Sequence, residues 1–139
     1  EQAVELAKRQ AQYAIAACLE ITGQKLIENQ EAAARAADLV SEVYTMECAV
    51  VRAAKMVASG HRWAEFAKDC AEVYVNESFG RVLNHARLLV AEVLEGDALT
   101  QALAALCAFD GYQPIPGAKL RDRIATQVIE KGAYPIEHF

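Results

Sequence analysis

A chain of 139 residues with a net charge of −5 and a sequence pI near 5.2 is long enough to bury one sizeable core. Its field repels phosphate backbones, which argues against a nucleic-acid partner. Although 54% of the residues are hydrophobic, no uninterrupted apolar run approaches the roughly 20 residues that cross a bilayer. The opening residues, with Glu1, Glu5, Lys8 and Arg9 among them, lack the basic-then-apolar order of a secretory signal. They read as a helix already under way, without a capping residue ahead of it, and so point to a fragment of a longer chain.

Alanine occurs 28 times, and the three prolines (Pro114, Pro116, Pro135) fall near the end, so most of the chain favours helix. The first expected helix runs from Glu1 to Thr22, with Val4, Ala7, Tyr13, Ala14, Ala17, Cys18 and Ile21 at helical spacing, and stops at Gly23. The second runs from Leu26 to Ser59. Its Leu39, Val43, Met46, Val50, Ala53 and Val57 follow a 4-3-4-3-4 spacing that forms a seam against a neighbour. A second apolar line, Ala37, Tyr44, Cys48 and Val51, predicts a further packed face and a central position.

The third helix is expected from Arg62 to Glu95. Its stripe passes from Trp63, Phe66, Cys70 and Val73 to Phe79, Val82, Ala86, Leu89 and Val93, and the shift near Gly80 predicts a close backbone approach, a kink or a break there. Gly96-Asp97 then reads as a tight turn with Asp97 as the next cap. A fourth helix, Ala98 to Asp110, packs through Leu99, Leu103, Leu106 and Phe109. The stretch Gly111 to Gly117 is a loop. A fifth helix, Ala118 to Lys131, buries Leu120, Ile124 and Val128, and Tyr134 to Phe139 form a tail. The sum is one all-α domain over 1–139, an antiparallel up-and-down bundle of four or five helices.

Chemistry was sought within this frame, and no catalytic, cofactor-binding or metal-binding residue is assigned. A di-metal bundle needs Glu-x-x-His on two helices, yet Ala58, Val82 and Pro135 stand three positions before His61, His85 and His138. Cys70 and His85 share one helix at a separation of more than about 20 Å. His85 reads as a partly buried histidine with a backbone or carboxylate partner. Cys18, Cys48, Cys70 and Cys107 show neither zinc nor redox spacing, and read as four buried thiols in a reducing cytoplasm. Lys119, Arg121, Arg123 and Lys131 make the fifth helix locally basic. An anionic ligand, a lipid surface or an acidic neighbour competes there with a plainly solvated face, which is favoured because Asp122 and Glu130 interrupt the run. The long second helix mixes acidic and basic residues on its polar side, which disfavours membrane association.

The stretch Asn29 to Val40, with Val43-Tyr44-Thr45-Met46 and Val51-Arg52-Ala53, resembles the Q…R-x-A-D…Y-x-M…R-A pattern of the extra C-terminal helical domain in acyl-CoA dehydrogenases of the very-long-chain type. The likeness continues through Trp63 to Glu95 and Ile124 to Tyr134. It implies a parent flavoprotein that uses FAD to introduce a double bond between the α and β carbons of an acyl-CoA thioester. The catalytic carboxylate and the flavin site would lie in the preceding catalytic domains, which would be this fragment's partners, with a homodimer of the parent expected. The helix-five face and the Tyr134–Phe139 tail are the expected contacts. A free-standing bundle that binds an apolar small ligand or a protein partner is the competing expectation.

Overall fold

The computed structural model describes residues 1–136 and contains five α-helices: α1 (Gln2–Thr22), α2 (Gln30–Ala58), α3 (Ala64–Val93), α4 (Gly96–Ala108) and α5 (Gly117–Lys131). A 3-10 helix, Gly23–Glu28, joins α1 to α2. No strand occurs among the described residues. The second helix therefore starts later than its apolar pattern predicts. Gly23, at φ +56°, takes the chain out of α1, the buried Leu26 anchors the connecting turn, and the Asn29 side chain caps α2 by accepting from the Ala32 N–H at 3.2 Å.

Helix α3 begins at Ala64, two residues later than expected, because His61 Nδ1 accepts the Trp63 N–H at 3.1 Å and closes a turn there. It then runs unbroken through Gly80. A Cβ at Gly80 would meet nothing within 4 Å, so no backbone approaches closely. The apolar stripe shifts for a different reason, namely a change of partner along the helix. The first half of α3 sets Phe66 and Ala67 against Ala53 and Met56 of α2, with Ile124 and Val128 of α5 packed on them. The second half keeps α2, through Leu39, Val43 and Met46, and adds Ala7, Ala11, Ala14 and Cys18 of α1 around Val82, Ala86 and Leu89.

The turn after α3 also differs from expectation. Leu94 and Glu95 are extended, and Gly96 at φ +56° is the first residue of α4, so Asp97 lies inside the helix and is not its cap. The cause is Leu94, which leaves the helix to bury its side chain in the main core.

Helix α3 is the central element. It packs against α1, α2, α4 and α5, whereas α2 packs chiefly against α3, with α1 and the 3-10 helix beside it. The expected central place of α2 is thus corrected. Its seam is real over Leu39, Val43, Met46 and Ala53, all buried, but it turns to Met56 at the end and leaves Val57 51% exposed. The drift is what a straight 3.6-residue helix imposes on a 3.5-residue repeat.

Leu39→Ala should cost about 2–5 kcal/mol by opening a cavity in the main core. Val57→Ala should change stability by no more than about 0.5 kcal/mol, as surface substitutions do. Urea denaturation of the two variants distinguishes this packing from a seam buried along its whole length.

Candidate functional site

Polar side chains in the core serve structure first. Asn76 on α3 accepts the Ile115 N–H at 2.8 Å and the Tyr112 hydroxyl at 3.3 Å, pinning the loop between α4 and α5. Tyr112 in turn lies against Phe79, with ring centroids 5.1 Å apart. Gln10, fully buried on α1, donates through Nε2 to the Phe109 carbonyl at 3.3 Å and so ties down the end of α4.

The basic residues of α5 stay largely exposed, as a solvated face would be, but two of them also pair with carboxylates of α3. Arg123 makes a two-pronged pair with the buried Asp69 of α3, Nε to Oδ2 at 2.9 Å and Nη2 to Oδ1. Arg121 pairs with Glu77 one face further along. The Lys131 ammonium donates to the Pro135 carbonyl at 3.0 Å and stands 5.5 Å from the Trp63 ring centre, with Arg62 also near that ring. The acidic neighbour of α5 is α3 of the same domain. The Arg123 guanidinium is pushed up from its ordinary value, chiefly by its hydrogen bond to Asp69.

Asp69 and Asn76 are the residues that sequence reasoning passed over. Their signal was available: both are polar groups on the faces of α3 that turn toward α5 and its preceding loop, seven positions and hence about two turns apart. Their partners, Arg123 and Ile115, lie 54 and 39 positions downstream, where no local spacing rule reaches.

His85 is half-buried, and its Nδ1 is enclosed without a hydrogen-bond partner among the described residues. The expected backbone or carboxylate partner is absent because the neighbouring stripe of Val82 and Leu89 supplies no acceptor. His61 and His85 do not converge, and His138 lies outside the described residues. No group of three or more His, Cys, Asp or Glu side chains forms a potential metal site among the described residues. No helix there is long and apolar enough to cross a membrane.

The cysteines divide in two. Cys18 is buried and Cys70 half-buried, but Cys48 and Cys107 are exposed, which corrects the expectation of four buried thiols. Cys48 lies on the apolar line of α2 that no other element covers. Burial pushes the Cys18 thiol up from 9.0 to about 11. Cys70 is raised by burial first and by Asp69 second.

Two concave features between helices bear on binding. A cleft of about 590 Å³ opens between the start of α1, the later half of α2 and the first half of α3. Alanines (Ala3, Ala53, Ala54, Ala58, Ala71) form much of its wall with Val50, Val75 and Tyr112, and Glu1, Glu65, Glu72 and Lys68 border it. A groove of about 450 Å³ runs between α1 and α2, lined by Ala11, Ile15, Ala16 and Leu19 on one side and Val40, Val43 and Tyr44 on the other. Lys8 and Glu47 bridge it in a 2.6 Å ion pair.

The same fold, with the same helices, is found in a known group of proteins. The family described as "Acyl-CoA dehydrogenase, C-terminal domain" has a sequence model that matches residues 2–107, α1 through nearly the end of α4. The chain belongs to that family. A "Probable acyl-CoA dehydrogenase" of Bacillus subtilis (strain 168) is 30% identical over 134 residues, 96% of this chain but 23% of the relative. The crystal structure of an acyl-CoA dehydrogenase complexed with FAD from Bacillus anthracis superposes with a TM-score of 0.90 at 26% identity. That match covers 97% of this chain and 24% of the other. The chain thus spans about a quarter of the length of these acyl-CoA dehydrogenases.

Two measurements check the polar packing. Arg123→Ala should lower the urea midpoint by leaving the buried Asp69 carboxylate unpaired, and adding Asp69→Asn should restore much of the loss. For Cys18, the unfolded thiol ionises near 9.0 while the folded one holds its proton to about 11. The unfolded state binds fewer protons in that window, so stability falls as pH rises through it. Cys18→Ala should make the decline between about pH 9 and about pH 11 shallower, as read from urea midpoints.

Proposed function

We propose that this chain is a non-catalytic accessory domain of an FAD-dependent acyl-CoA dehydrogenase, serving to pack against the catalytic domains of the same polypeptide within a homodimeric parent. The observation that carries the reading is the likeness to a quarter of two acyl-CoA dehydrogenases, joined to a bundle whose polar groups are engaged in holding its own helices. The parent reaction is α,β-dehydrogenation of an acyl-CoA thioester. It needs a carboxylate base at the α carbon and a flavin that takes the hydride.

The residues here do not fit FAD. The pyrophosphate of a dinucleotide calls for converging backbone N–H groups at a helix start. The larger cleft instead carries Glu1, Glu65 and Glu72 against Lys68 alone on its border, a balance that repels phosphate. The flavin therefore belongs to the rest of the parent chain. Unpaired cysteines, two of them exposed, suit a reducing cytoplasmic setting.

The alanine-walled cleft supports a second reading, a free-standing bundle that holds an apolar ligand. It is open on one side and has no convergent polar groups to orient a bound molecule.

The purified chain should show no flavin absorbance and no turnover of acyl-CoA, and the gene that encodes it should specify a flavin enzyme upstream in the same reading frame. Dehydrogenation by the purified chain, or a short gene with its own start, would remove the proposal.

A further inference from the structure

We infer that the groove between α1 and α2, with the ridge Val40, Tyr44, Cys48 and Val51 beside it, is the seat on which this domain receives an apolar helical surface from the rest of its own polypeptide. This rests on the accessory-domain reading above and adds the face that does the docking.

Exposure comes first. Leu19 is 44% exposed, Val40 53%, Tyr44 66% and Val51 46%. The first three line one groove, and Tyr44, Cys48 and Val51 border the adjoining hollow on α2. Apolar side chains scattered singly on a surface need no explanation, but a contiguous apolar strip across two helices marks an interaction site. Along α2, Val40, Tyr44, Cys48 and Val51 repeat at spacings of four, four and three, which places them on one ridge. That regularity is the mark of a second packed face, yet its side chains stay exposed among the described residues.

Shape and charge narrow the occupant. Ala11 and Ala16 keep the groove low on the α1 side, so a helix can approach closely. The charges bridging the groove cancel, because Lys8 is already paired with Glu47 and Glu5. The groove itself offers an anionic membrane or a nucleic acid no excess of positive charge, and Arg52 and Lys55 stand only at the far border of the adjoining hollow, beside Glu47, whereas an apolar protein surface needs none.

Chain length selects the source. The two acyl-CoA dehydrogenases extend over about four times the length of this chain, so a polypeptide of that kind presents the remaining surface on a tether at high effective concentration. A second copy or a separate protein must first lose translational and rotational freedom. The other surfaces expected to make contacts are partly committed within the domain, and their exposed apolar groups, Ile129 and Tyr134, are few and do not line a groove between helices. Helix α5 is clamped to α3 by Arg121 and Arg123, and Pro135 and Ile136 of the tail are buried, Ile136 beside Phe66 and Met56.

The native cysteines supply the test. The full-length protein, as purified with its flavin, and the 139-residue chain alone are treated with a small maleimide, and the labelling rate of each cysteine is read by mass spectrometry. In the chain alone, Cys48 and Cys107 should both label readily. In the full-length protein Cys48 should slow by about tenfold or more, as a covered site does, with Cys107 unchanged. Tyr44→Glu in the full-length protein should return the Cys48 rate toward that of the chain alone. Rapid Cys48 labelling in a flavin-containing full-length protein overturns the inference and leaves the accessory-domain reading in place. Slow Cys48 labelling in the chain alone, with sedimentation as a dimer, overturns it in favour of a second copy. A full-length product that carries no flavin enzyme removes the accessory-domain reading itself, and this inference with it.

Discussion

Burial of α3 on successive sides is the constraint from which the rest of the structure follows. Phe66, Val82, Leu89 and Val90 of this helix are at most 1% exposed, and each such side chain contributes about 1.5–3 kcal/mol of apolar burial. One helix cannot do this against a single neighbour. Helix α2 lies along both halves, joined by α5 on the first and by α1 and α4 on the second. The exchange of partners near the middle takes the place of a kink, and Gly80 sits where the stripe passes from one set to the other.

The polar residues are subordinate to that arrangement. Exposed ion pairs of the Lys8–Glu5 kind contribute at most about 1 kcal/mol, so they cannot decide which helices meet. Their effect is on register. Asp69 needs Arg123 because its carboxylate is enclosed, and Asn76 fixes the loop that brings α5 back across α3. A bundle of alanine-rich helices has many nearly equivalent ways of sliding. Buried polar groups with single partners penalise most of them by leaving a donor or acceptor unsatisfied.

How much of this could be read from the residues depends on the range of each interaction. The helices and their stops were legible because periodicity and glycine act locally: Gly23, Gly60 and Gly132 all take positive φ at or just beyond a helix end. The main seam of α2 was legible for the same reason. What failed required knowledge of the partner. The Ala37, Tyr44, Cys48 and Val51 line looks like a packed face whether its partner lies in this domain or outside it, since periodicity reports that a face is apolar and is silent on what covers it. The basic run of α5 was similarly ambiguous until Asp69 and Glu77, more than 40 positions away, came opposite. Leu94 was missed as a turn residue because a tight turn was assigned to the glycine beside it, and core burial outweighed that local signal.

The cleft and the groove differ in what they offer a partner. The cleft near the start of α1 is formed largely by absence of bulk: alanine walls and carboxylates at the border, with Val50, Val75 and Tyr112 among its few larger lining side chains. The groove between α1 and α2 is formed by presence of bulk, with Ile15, Leu19, Val40 and Tyr44 raised on either side of a low floor. Large apolar groups held half out of water destabilise nothing in the folded bundle, yet they forgo burial that their positions on two rigid helices would otherwise permit. Rigidity makes them suited to docking, because side chains presented on helices lose little freedom when a matching surface arrives. A chemical site would require the reverse distribution, with polar groups aimed into the hollow and free of partners. Here Asp69, Asn76 and Arg123 are turned inward to hold helices together, and the outward relief is left to hydrocarbon.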